Sequence, residues 1–179
     1  MRQTIPISRL VLADLSISAD MAMEKVPHAV LETRMEVIMP FIREQLDAGG
    51  MVRFSPRGIS MLPMLRQGID TVTLSPVPER LKKYDLPLYR RDDGTYILHR
   101  IVRAGETYTC IGDNQFVYEP GVRHDQMIAV VTSFTRGNRE ITVANPLYRL
   151  YCCIWHYSRP LRHFWRRGTN WLRRHLSGS

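Results

Sequence analysis

LPLYRRDDGTYILHRIVRAGETYTCIGDN, residues 86–114, decides how this chain folds. Leu86–Arg90, Thr95–Arg103 and Glu106–Ile111 carry the apolar, β-branched and aromatic residues of strands, and each is short. Asp92-Asp93-Gly94 between the first two reads as a hairpin tip. No helical spacing interrupts the series.

Working outward, the same texture extends to both sides. Met51–Phe54, Asp70–Leu74, Asp125–Phe134 and Glu140–Ala144 are further strand candidates. Ser55-Pro56, Pro76-Val77-Pro78 and Arg136-Gly137-Asn138 supply the turns between them. Seven short strands without intervening helices predict a mainly antiparallel β domain over residues 51–145. Ahead of it, Leu31, Met35, Ile38, Ile42 and Leu46 recur at steps of three and four, and Gly49-Gly50 supplies a stop, so a helix is expected over residues 29–50. Pro40 inside that pattern is expected to kink or restart it. Residues 1–28 show no periodicity and read as a lead-in segment. From Pro146 onward, residues 146–179 turn helical again. The class expected is mainly β (α+β), with a helix at each end.

Of the 179 residues, 44% are hydrophobic and 23% charged, an ordinary globular composition that excludes a disordered, collagenous or rod-like chain. The longest stretch free of Lys, Arg, Asp and Glu is ten residues, Gln126 to Thr135, about half of what a bilayer-spanning helix needs. No transmembrane segment is expected, and the first twenty residues lack the apolar run of a secretory signal. Cys110, Cys152 and Cys153 have neither a disulfide framework nor zinc-ligand spacing, which predicts reduced thiols in a cytoplasmic protein. The net charge of +8 is unevenly placed. Residues 1–145 are almost neutral, whereas residues 146–179 hold seven Arg, all three Trp and no acid.

Three segments could carry chemistry. In Gly58-Ile59-Ser60-Met61-Leu62-Pro63, a serine stands between a glycine that permits close approach of another chain and a proline that fixes the backbone. Its hydroxyl is then held in one direction, although a turn serine before a proline accounts for it equally. His99, in Tyr96–Val102, shares a strand face with Ile97 and Ile101, while Arg100 takes the other face. It reads as a core histidine or as a general base. Gly112-Asp113-Asn114 is turn material after a strand, or a carboxylate that orients the histidine.

These segments follow in order, 39 and then 14 residues apart. Gly58-x-Ser60-Met61-x-Pro63-x-Leu65, His99-Arg100-Ile101-Val102 and Gly112-Asp113-Asn114 together resemble the signal peptidase I family, which shares its β-fold with the self-cleaving LexA-type repressors. The likeness covers about residues 51–135. It implies a serine endopeptidase in which Ser60 attacks the scissile carbonyl, His99 takes its proton and Asp113 supports the histidine. A histidine where bacterial members carry lysine is similar to the endoplasmic reticulum and archaeal branch. Ser60 N–H would serve the oxyanion hole, Met61 an apolar floor for small side chains, and Gly58 and Pro63 the substrate channel. Arg100, Gly112 and Asn114 would be supporting residues. Where the family has a serine that helps the oxyanion hole, this chain has Gly58. The family's later acidic residue has its nearest counterpart in Glu119. No metal or organic cofactor is implied, and the substrate would be an extended polypeptide with small residues near the cut. The alternative is a peptidase-like fold that binds or regulates at a membrane surface without catalysis.

On a helical wheel, Leu161, Phe164, Trp165, Leu172 and Leu176 fall on one side of the tail, and Arg162, Arg166, Arg167, Arg173 and Arg174 on the other. Ser158 is expected to cap this helix and Pro160 to occupy its first turn. Two roles are open: docking on the protein's own β domain, or attachment to an anionic membrane surface through residues 158–176. Nucleic acid has no support in the nearly neutral body.

Overall fold

The core of the molecule forms where β9 (Met127–Arg136), the longest strand, gathers three partners. β3 (Val72–Ser75) runs antiparallel along one edge of it. The other edge is shared by β4 (Pro87–Arg90), over Met127–Val130, and β10 (Arg139–Thr142), over Ser133–Arg136. β2 (Val52–Phe54) extends the sheet beyond β3, and β5 (Tyr96–Leu98) extends it beyond β4. The two-residue strand β1 (Ile5–Pro6) pairs parallel with β2, and every other pairing in the sheet is antiparallel. A second, three-stranded antiparallel sheet holds β6 (Arg100–Ala104), β7 (Tyr108–Ile111) and β8 (Glu119–Val122). This computed structural model describes residues 5–6 and 28–165, so most of the lead-in segment and residues 166–179 of the tail lie outside the described residues.

Helix α1 (His28–Asp47) covers the larger sheet. Met39, Ile42 and Leu46 on its inner face pack against Val52, Val72, Leu74 and Phe134. Pro40 does not break it: the helix runs through, with Pro40 exposed, where water can satisfy the carbonyl that loses its donor. The helix ends at Gly49, which adopts φ +71° while Gly49 N–H donates to Leu46 O and Gly50 N–H to Gln45 O. That is the terminus the Gly-Gly pair predicts. A second apolar cluster (Tyr89, Ile101, Tyr108, Cys110, Val122 and Met127 among its members) fills the space between the sheets.

The structure is thus mainly antiparallel β with a few helices, as the sequence leads one to expect. Its strands differ from that expectation at two points. The expected strand Thr95–Arg103 is two strands in two sheets, divided at His99. β8 was not foreseen, because Glu119-Pro120-Gly121-Val122 reads as turn material. At the C-terminal end, Asn145 caps α2 (Pro146–Tyr157) by accepting from Leu147 N–H and Tyr148 N–H, and a further helical stretch covers residues 159–165. Ser158 closes α2 and its hydroxyl donates back to Trp155 O, so it does not cap the next stretch as expected.

Candidate functional site

The site assembles where the chain leaves one sheet for the other. His99 is the single residue between β5 and β6, and it is 3% exposed. Arg100 pairs with Ile111, so continuing the antiparallel register by one residue sets His99 across from Gly112. Gly112 in turn lies directly under the Ser60 loop: a Cβ added there would fall 2.7 Å from Ser60 O. Only glycine allows so close an approach. Asn114 N–H donates to Ser60 O at 2.8 Å, and the Asn114 side-chain amide donates to Ile59 O at 3.2 Å. The serine segment and the Gly-Asp-Asn turn, distant in sequence, therefore meet, and the strand register brings His99 to the same corner of the β6–β7 ladder.

Ser60 itself is half-buried in a run of turns over residues 58–65. Gly58 opens the run at φ +96° with its N–H on Gln67 Oε1, and the Leu62–Pro63 peptide is cis. The Pro63 and Met64 carbonyls accept from Arg136 at 2.8 and 3.0 Å, which ties the loop to β9. Met61 is 4% exposed and belongs to the main core beside Met64 and Leu65, so it anchors the loop from below.

Around the histidine, Nδ1 faces Tyr89 OH at 3.5 Å and Glu119 Oε2 at 3.8 Å. Glu119 is a hub. Arg91 donates to both of its oxygens at 2.6 Å, and Tyr89 OH donates to Oε2 at 2.7 Å. Burial opposes its charge, but the Arg91 guanidinium, the His99 ring and the Tyr89 hydroxyl outweigh it and hold the carboxyl well below the usual carboxylate range. Burial, with the Tyr89 contact to Glu119, drives the tyrosine hydroxyl far above its ordinary value, so it stays a neutral donor. Burial, and next the Glu119 charge, push the neighbouring Cys110 thiol up to about 12. All three cysteines are free.

Asp113 has different company. Both of its oxygens are taken by Arg100, at 2.8 and 2.7 Å, in a fully buried pair. Arg100 also donates to Tyr148 OH at 2.8 Å and contacts Cys152 Sγ at 3.0 Å, fastening the Gly112–Asn114 turn to α2. The carboxylate beside the histidine is Glu119, whereas both oxygens of Asp113 face Arg100. Sequence reasoning did not single out Tyr89 and Arg91, and it named Glu119 only as the nearest counterpart of the family's later acidic residue. The available signal was the acidic residue that follows the Gly-Asp-Asn turn.

Comparison with protein-family models, with curated proteins and with solved structures returns no match. Among the described residues, no group of three or more His, Cys, Asp and Glu is placed to hold a metal ion, and no helix is long and apolar enough to cross a membrane. A hollow lined by Arg80, Leu81, Ala104 and Tyr108 lies on the β6–β7 side and includes none of the site residues.

Proposed function

We propose that this chain is a serine endopeptidase of the signal peptidase/LexA-like kind, with Ser60 as nucleophile, His99 as general base and Glu119, in place of Asp113, as the group that orients the base. The observation that carries this reading is the corner itself. A turn-held serine rests on Gly112 across from a buried histidine whose Nδ1 faces a charged carboxylate. Ser60 Oγ attacks the scissile carbonyl carbon as its proton passes to His99 Nε2. The tetrahedral oxyanion takes a hydrogen bond from Ser60 N–H. His99 then returns the proton to the leaving amine, the C–N bond breaks and an acyl-enzyme remains. Water, deprotonated by the same nitrogen, releases the acid and restores the serine. Glu119 stabilises the imidazolium formed in each half. The substrate is an extended polypeptide paired to a free strand edge; β5 ends the larger sheet and offers one.

One observation favours a second reading, a binding or regulatory module. Gly58 stands where the family has a serine donor, and its φ of +96° suits glycine and strains any other residue. Loss of one oxyanion donor costs about 10²–10³ in rate. The two readings separate in one experiment. Wild type, Ser60→Ala and His99→Ala proteins are each incubated with a diverse peptide mixture and the products read by mass spectrometry. Cuts made by wild type alone, with all three proteins folded, establish the peptidase and give its specificity. Identical product lists sink it in favour of the module.

A further inference from the structure

Over residues 146–165 the tail turns aromatic residues and two arginines toward the body and leaves an apolar line outside. Its inward line runs Tyr148, Cys152, Trp155, Arg159 and Arg162. Arg159 is 4% exposed and donates to Gln115 O at 3.0 Å, while Arg162 lies 3.5 Å over the Trp155 ring and donates to the Trp155 carbonyl. Loop carbonyls and aromatic faces thus receive the cations, with Arg159 Nε left without a hydrogen-bond partner among the described residues. The outward line is apolar: Leu147, Leu150, Ile154, Tyr157, Leu161 and Phe164 recur at alternate steps of three and four and are 56–78% exposed. Ser158 keeps near-helical angles, Ser158 N–H bonds Ile154 O and Arg162 N–H bonds Ser158 O, so the stripe passes the junction between the helices. It is about 25 Å long.

We infer that this stripe docks on an anionic lipid bilayer surface. Residues 146–179 contain seven Arg and no acid, so a second copy laid along the stripe would set like charges against each other, whereas anionic headgroups complement them. Tyr157, Phe164 and the exposed Trp165 are side chains that settle at the headgroup boundary. Lys83, 3.5 Å from Tyr157 OH, and the exposed Arg149 fringe the stripe with cations. The inner face of the same helices grips the loop beside Ser60 through Trp155 Nε1, which donates to Asp113 O at 3.0 Å. Docking therefore places these helices between the bilayer and that loop. The inference does not depend on the peptidase reading, since it concerns only where the chain binds.

The test is co-sedimentation of the full-length chain with vesicles of phosphatidylcholine containing one quarter phosphatidylglycerol, and with phosphatidylcholine alone. The chain should pellet with the anionic vesicles, release as salt rises, and bind neutral ones weakly. Ile154→Glu/Leu161→Glu should weaken partitioning by ~10-fold or more, with circular dichroism and melting unchanged because both positions are exposed; Leu161→Ser alone should act in the same direction. Equal pelleting with both vesicle types overturns the inference, as does anionic binding that neither variant changes. Concentration-dependent dimers in sedimentation velocity that the double variant abolishes also overturn it, and assign the stripe to a second copy.

Discussion

Two carboxylates stand near the corner in different surroundings. Asp113 is fully buried against a fully buried Arg100, so removing its charge strands a cation away from water. Asp113→Ala should cost about 3–5 kcal/mol, read as a lower melting temperature and denaturant midpoint. Glu119 is partly exposed and joins His99, Tyr89 and Arg91. Its folded-state pKa lies below the unfolded value of about 4.3, so its contribution to stability is complete above that pH and is lost as pH falls beneath it. Glu119→Gln removes this titration, and its stability should vary less than wild type across the acid limb, measured by urea unfolding at stepped pH. With the peptidase reading, the same variant should lose roughly 10²-fold or more in kcat while remaining folded at neutral pH. A larger kcat loss in Asp113→Asn than in Glu119→Gln would return the orienting role to Asp113.

At the scale of elements, the break between β5 and β6 is what makes the site. A continuous strand would have kept His99 in one sheet; the change of sheet gives the residue a neighbour from each, Tyr89 from β4 and Glu119 from β8. α2 completes the corner from outside. Trp155 donates to Asp113 O, Arg159 to Gln115 O, and Phe116 stacks on His163 at 4.7 Å, so the residues 113–118 loop is held by the tail. Trp155→Phe removes the indole donor and keeps most of the packing. Amide hydrogen exchange in residues 113–118 should then quicken several-fold while β9 exchanges as in wild type. Unchanged exchange in that loop would mean α2 only covers it.

Across the whole molecule, charge and apolar surface are sorted. The body is nearly neutral and buries its apolar residues in two clusters, and the acid-free tail carries most of the excess positive charge. The tail's exposed stripe and its grip on the site loop lie on opposite faces of the same helices.

Local pattern was enough for much of this. The period of Leu31 to Leu46 and the left-handed stop at Gly49 fixed α1; alternation and turn residues fixed most strands; and the order Ser60, His99, Gly112-Asp113-Asn114 marked the segments that meet. Tertiary structure decided what local pattern does not contain. Which carboxylate stands beside His99 depends on which strands share a sheet, and β8 hid behind Pro120 and Gly121. A helical wheel divides the tail into two faces, but it does not say which one the body receives. Over the described residues that choice fell to the loop carbonyls at Asp113 and Gln115 and the aromatic rings of Trp155 and Tyr118, which hold Arg159 and Arg162 inward while Leu161 and Phe164 stay outside.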